Sequence, residues 1–272
     1  MHSPLKIAKN YISVCVNKTR IPVLKMYLLG IMAGFFIAFA GVNLTVASGT
    51  IPVYGRLIGA AAFPMGMAMV LLAGSELFTG NNLIILAVLT GEVRLRDMLK
   101  NWIIVYLGNL TGASLIAAAT VYSGVLDGFY QTAVNIAASK ATMPFTDALI
   151  RGILCNILVC VAVWMSFASK RAEGKILTVF FPIMAFVFCG FEHSIANMYY
   201  LPAGLLSALR HGASADGLNW ESCYLGNLLP VTLGNIIGGC LFVGCMYWYI
   251  YLHTNRLTQK QEEEELDHAE EY

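Results

Sequence analysis

Residues 73–81 read AGSELFTGN and residues 190–198 read GFEHSIANM. Both strings carry the spacing G-x-E-x4-N, with Gly74, Glu76 and Asn81 in the first and Gly190, Glu192 and Asn197 in the second. Each sits inside a long apolar run: 57–91 is interrupted only by Glu76, and 176–209 only by Glu192 and His193. Such a run is too long for one membrane helix of roughly 20 residues and too short for two helices joined by a solvated loop. A span broken at mid-membrane fits both. In lipid, irregular backbone is tolerated only where it lines a cavity or is buried in protein, so the two breaks mark where to look for a site.

Outward from the breaks, the stretches 27–47, 101–126, 152–168 and 222–252 each supply one ordinary crossing, which makes six. Composition agrees: 58% of the 272 residues are hydrophobic and 12% charged, more apolar surface than one soluble core can bury. The 17 basic and 16 acidic residues nearly cancel, which gives no support for a nucleic-acid partner. A second motif recurs in order, Leu107-Gly108-Asn109 in the third span and Leu233-Gly234-Asn235 in the sixth. Three spans followed by three spans reverse the direction in which the second half enters the bilayer, an inverted repeat over about 26–126 and 145–253. The fold class predicted is an all-α membrane protein of six transmembrane helices arranged as a 3+3 inverted repeat, with spans two and five broken. Residues 1–256 form its single domain.

Before the first span, Ser3-Pro4 starts a helix in which Leu5, Ala8, Ile12 and Cys15 alternate with Lys6, Lys9, Ser13 and Asn17. This amphipathic helix, within 1–25, is expected at the membrane surface or against a partner subunit. No apolar h-region or cleavage site precedes Tyr27, so no signal peptide is expected to be removed. Residues 257–272, with the acidic block 262–265, read as a solvated tail. Thirteen of the 17 Lys and Arg fall on one side of the six spans, which predicts cytoplasmic termini. Arg56, Lys140, Arg151 and Arg210 remain on the other side, Lys140 in the loop before span four. The seven cysteines form no metal or redox pattern and are assigned to packing, and no cofactor or metal is expected.

Half-helices that start at mid-membrane aim positive N-terminal ends inward, which favours an anion or a polarised neutral solute. Glu76 and Glu192 are functional candidates because an intramembrane carboxylate is costly; the structural alternative is a scaffold that accepts N–H bonds from the broken backbone. His193, the only ionisable nitrogen in any span, can exchange a proton near neutral pH, and its counterpart in the first half is the apolar Leu77. Thr79 can donate to an anion or to the backbone. Asn109, Asn156 and Asn235 suit the satisfaction of broken backbone. Phe63, Met67, Phe78, Val159 and Phe186 form hydrophobic constrictions or face lipid.

Taken with NWIIVYLGNLTG at 101–112 and PVTLGNIIGG at 230–239, the two break strings resemble the formate/nitrite transporter family across all six spans. The resemblance implies a homopentamer of aquaporin-like protomers in the cytoplasmic membrane, each a channel or channel-like transporter for a small monovalent weak-acid anion such as formate, nitrite or hydrosulfide. By that likeness His193 is the central pore histidine and Thr79 the hydroxyl of the first break. Phe63 and Phe186 form the outer constriction, and Met67, Leu77, Phe78 and Val159 the cytoplasmic slit. Lys140 and Lys18 are the outer and inner vestibule lysines, while Asn156 and Asn235 line the path. Met67 departs from the leucine of the family's formate channel, and the first break reads closer to nitrite- and hydrosulfide-type members. The anion is expected to take up a proton near His193 and cross as the neutral acid. An aquaporin- or glycerol-type pore is the alternative, and it calls for NPA at both breaks, which this chain lacks. An intramembrane enzyme using Glu192 and His193 as acid and base lacks a nucleophile or metal constellation, so no catalysis is expected.

Overall fold

The computed structural model describes residues 2–253, and the acidic tail expected at 257–272 lies outside the described residues. The first half comprises α1 (Pro4–Arg20), α2 (Val23–Thr50), α3 (Gly55–Leu72), α4 (Phe78–Leu89) and α5 (Leu95–Tyr122). The second comprises α6 (Tyr130–Ala141), α7 (Phe145–Ser166), α8 (Ala172–Cys189), α9 (Ser194–His211) and α10 (Ser222–His253). Six of these, α2, α3, α5, α7, α8 and α10, are long and apolar enough to cross a bilayer.

The break motif ends one helix and starts the next. Gly74 (φ 76°) and Gly190 (φ 73°) take the left-handed conformation that glycine adopts without steric cost, and so close α3 and α8. Leu77 and His193 are extended, and α4 and α9 begin directly after them. Spans two and five are therefore α3–break–α4 and α8–break–α9, related as the repeat requires.

The symmetry reaches further than the spans. Lys140 was expected in a loop, but α6 is a helix whose buried face, Ala133, Val134, Ala137 and Ala141, packs against α9. It stands to the second half as α1 stands to the first, each helix carrying a lysine in its last turn. The amphipathic pattern of α1 also serves a contact that the sequence did not point to. Ile7, Ala8, Tyr11 and Cys15 are buried within the same chain. Tyr11 donates to Gly80 O at 3.4 Å and meets Phe167 edge-on at 4.8 Å, so α1 lies under the broken span α4.

Helices in lipid gain little from apolar burial against one another and associate instead through small residues that let backbones touch. A Cβ on Gly112 would sit 2.2 Å from Ile31 O, and one on Gly238 would sit 2.3 Å from Ile153 O, so α2–α5 and α7–α10 pack through equivalent glycines. Gly112→Ala and Gly238→Ala are predicted to cost about 1–3 kcal/mol each. Gly128→Ala, at a site with nothing within 4 Å, should stay within about 0.5 kcal/mol of the parent. Thermal unfolding in detergent measures all three, and equal melting temperatures would refute the close-packing argument.

Candidate functional site

A helix that stops at mid-membrane exposes N–H and C=O groups that water cannot reach, and here two asparagines take them. Asn109 accepts from Phe78 N at 3.0 Å and donates to Gly30 O at 2.8 Å and Glu76 O at 2.9 Å. Asn235 does the same, accepting from Ser194 N at 2.9 Å and donating to Gly152 O at 2.8 Å and Glu192 O at 3.0 Å. The recurrent Leu-Gly-Asn is thus the clamp for each break: its glycine admits the neighbouring helix and its asparagine bridges that helix to the broken backbone.

The expectation that Glu76 and Glu192 accept backbone N–H bonds is corrected. The asparagines already fill that role, and each carboxylate binds a lysine instead. Glu76 accepts from Lys18 Nζ and from Asn81 Nδ2, both at 2.7 Å. Glu192 accepts from Lys140 Nζ and from Asn197 Nδ2, both at 2.6 Å. Asn81 also donates to Asn101 at 2.9 Å, and Asn197 to Asn227 at 2.7 Å; Asn101 and Asn227 in turn hold the carbonyls of Lys18 and Lys140. Sequence reasoning missed Asn101 and Asn227, although each precedes its Leu-Gly-Asn asparagine by the same interval.

Between the breaks, Thr79 Oγ1 and His193 Nε2 lie 2.9 Å apart and both side chains are buried. His193 caps α9: its Nδ1 accepts the N–H of Ala196 at 3.1 Å. An accepting Nδ1 carries no proton, so the neutral ring bears its hydrogen on Nε2 and donates it to Thr79. The Thr79 hydroxyl hydrogen remains available to a third group. A second proton on Nδ1 would break the cap and place positive charge at a helix N-terminus, both unfavourable.

Three cavities lie in a row past His193, which lines two of them, while Thr79 stands behind it and lines none. One, of about 500 Å³, opens on the α1 side and is lined by Lys18, Lys25, Glu76, Leu77 and Met67. Another, of about 420 Å³, opens on the α6 side and is lined by Arg56, Phe63, Lys140, Arg151, Phe186, Glu192 and His193. The middle one measures about 10 Å³, the lower limit for a single water, and shares Met67 and Leu77 with the first and Phe63, Phe186 and His193 with the second. Val159, Ile37 and Ile183 complete its wall.

Most of the sequence-selected residues therefore converge. Phe63 and Phe186 meet edge-on at 5.9 Å beside His193, and Met67, Leu77 and Val159 close the other end. Phe78 does not join them. It is the first residue of α4, turned from the extended Leu77, and its ring packs edge-on against Tyr106 at 5.0 Å and Trp102 at 6.0 Å on α5. Asn156 and Asn235 stand behind the row, their amides already engaged: Asn156 donates to the backbone Asn235 O at 2.7 Å and to the side-chain Asn82 Oδ1 at 2.8 Å. Arg56 and Arg151 line the α6-side cavity and were not selected. Their signal was in the charge count, since three of the four cations left on that side line this one cavity.

Inverted repeats, broken spans and cavities aligned across the bilayer define a multi-pass membrane protein of the channel and transporter kind. The formate/nitrite transporter family model matches residues 5–249, and the chain belongs to that family. It is 36% identical to a probable formate transporter of Methanothermobacter thermautotrophicus, over 92% of this chain and 97% of the relative. Among solved structures, an FNT family ion channel superposes with a TM-score of 0.83 at 28% identity, covering 90% of this chain and 98% of the other. A pentameric formate channel with formate bound superposes with a TM-score of 0.73 at 34% identity, covering 85% and 98%.

Removing one partner of a buried ion pair leaves a stranded charge, whereas removing both does not. Glu192→Gln is predicted to destabilise the protein by about 3–5 kcal/mol by stranding Lys140, and Lys140→Met in the same chain should restore most of that loss. Thermal unfolding of the single and double variants in detergent tests the coupling; additive losses would show that the two side chains act separately.

Proposed function

We propose that the protein is a channel or channel-like transporter for small monovalent weak-acid anions, formate foremost, and that the row of cavities past His193 is its path, with Thr79 reaching it through that histidine. The contact between those two residues carries the reading. It ties the first turn of one half-helix to the N-cap of the other, and its histidine lines the cavity that narrows to a single water. The names of the relatives, a probable formate transporter and a formate channel with formate bound, support formate within this anion class. The same neighbour's pentameric state supports a homopentamer in which each protomer has its own path. The distribution of Lys and Arg supports a cytoplasmic-membrane location with both termini cytoplasmic, which makes the α6-side cavity the outer one.

In this reading Lys18 and Lys140 stand in the inner and outer vestibules, Phe63 and Phe186 form the outer constriction, and Met67, Leu77 and Val159 the inner one. An anion entering the apolar middle cavity loses its hydration, and the desolvation raises its affinity for a proton. The capped, neutral His193 acts through its Nε2–H: it orients Thr79, whose hydroxyl donates to the anion, and the proton comes from water in the vestibule. The neutral acid then passes the second constriction. Glu76, Glu192, Asn156 and Asn235 hold the half-helices in place and do not touch the permeant.

Formate uptake into proteoliposomes tests both the path and the histidine's part in it. His193→Phe, which removes both ring nitrogens, should lower flux at least about tenfold across pH 5 to 8. His193→Gln keeps an N–H donor without a titratable proton and should retain a measurable fraction. Equal loss in both variants, with folding intact, would mean that the imidazole itself delivers the proton; unchanged flux in His193→Phe would remove His193 from the path. Competition among formate, nitrite and hydrosulfide in the same vesicles ranks the anions.

A further inference from the structure

Arg56 and Arg151 belong to neither recurrent motif, yet both line the α6-side cavity. The repeat provides an internal comparison for each. Arg151 is equivalent to Leu29: the carbonyl of Leu29 accepts Glu76 N at 3.2 Å, and that of Arg151 accepts Glu192 N at 3.2 Å. At the spacing that pairs Glu76 with Glu192, the counterpart of Arg56 is Ala172. At these two equivalent positions the scaffold carries cations on one side and apolar residues on the other, where the α1-side cavity has, among the described residues, the single unpaired Lys25 in its lining.

Arg56 is also positioned. Its guanidinium donates to Phe188 O at 3.2 Å, at the carbonyl end of α8, where the helix dipole is negative. Gly190 leaves the space it occupies: a Cβ there would lie 2.8 Å from Arg56, whereas a Cβ on the equivalent Gly74 would meet nothing within 4 Å. Lys140, the cation expected to gather anions in this cavity, is already tied to Glu192 at 2.6 Å. Neither Arg56 nor Arg151 forms an ion pair among the described residues, so they supply the cavity's unneutralised positive charge. In a concave mouth with apolar walls such charge raises the local anion concentration, and salt screens the effect.

We infer that Arg56 and Arg151, whose counterparts in the other half are apolar, form an anion-capture site at the α6-side mouth that lowers the concentration at which a monovalent carboxylate half-saturates the path from that side. Arg56 also covers the α8 carbonyl end, which would otherwise repel the arriving anion. The inference rests on the reading of this row of cavities as an anion path.

Initial rates of formate flux in vesicles of known orientation, measured against formate concentration from each side and at two ionic strengths, test it. Arg56→Ala and Arg151→Leu install the residues of the opposite half. Each should raise the half-saturating concentration from the α6 side about three- to tenfold and flatten its salt dependence, with little change from the α1 side. Arg56→Lys should restore much of the salt dependence. Because both side chains are exposed, folding is expected to survive, and elution as the parent assembly confirms it. If the parent carries formate but the variants match it in half-saturation and salt dependence, the capture site is overturned and the path stands. If the parent carries no anion, both readings fall.

Discussion

A bilayer offers no water to a peptide group, so a helix can stop inside it only if other protein atoms take over the bonds it abandons. Asn109 and Asn235 meet that condition, each accepting from the first turn of a half-helix and donating to the carbonyl of the glutamate just before it. Much else depends on this arrangement. The asparagine must reach the break from a neighbouring helix, so that helix must approach through glycine. The glutamate side chain, released from the backbone, is free to anchor a lysine. The half-helix then holds its position firmly enough to place Thr79 against His193.

The two ion pairs show how the same device serves opposite ends of the molecule. A lysine from a peripheral helix, α1 or α6, reaches a carboxylate beside the break, and an asparagine network holds both partners. Buried pairs of this kind contribute little net stability over an apolar core, but they fix register, because any shift strands a charge. Lys18 and Lys140 therefore tie the peripheral helices to the helices that flank the two breaks.

The large features were legible in the chain because they are written in local chemistry. Uncharged runs, glycines ahead of isolated glutamates and a repeated spacing need no knowledge of what packs on what. The partner of each glutamate was not legible: Lys18 is 58 positions from Glu76 and Lys140 is 52 from Glu192, and nothing local links them. The direction of Phe78 was hidden for a related reason. One change of backbone conformation at Leu77 turns the next side chain toward Trp102 and Tyr106, and periodicity does not survive a break. Helix α6 escaped notice because five of its twelve residues are polar and its inward face is mostly alanine, which is small enough to sit against α9 but weak as a hydrophobic signal.

The middle cavity has a consequence for the membrane as an energy store. Protons cross membranes fastest along hydrogen-bonded files of water, passing from molecule to molecule without any one molecule moving far. A space of about 10 Å³ walled by Ile37, Phe63, Met67, Leu77, Val159, Ile183 and Phe186, with the His193 ring as its one polar face, has room for a single water, so no continuous file of water threads it in this structure. An interrupted file separates the passage of a solute from the leak of protons, and so from the loss of the gradient that the membrane stores.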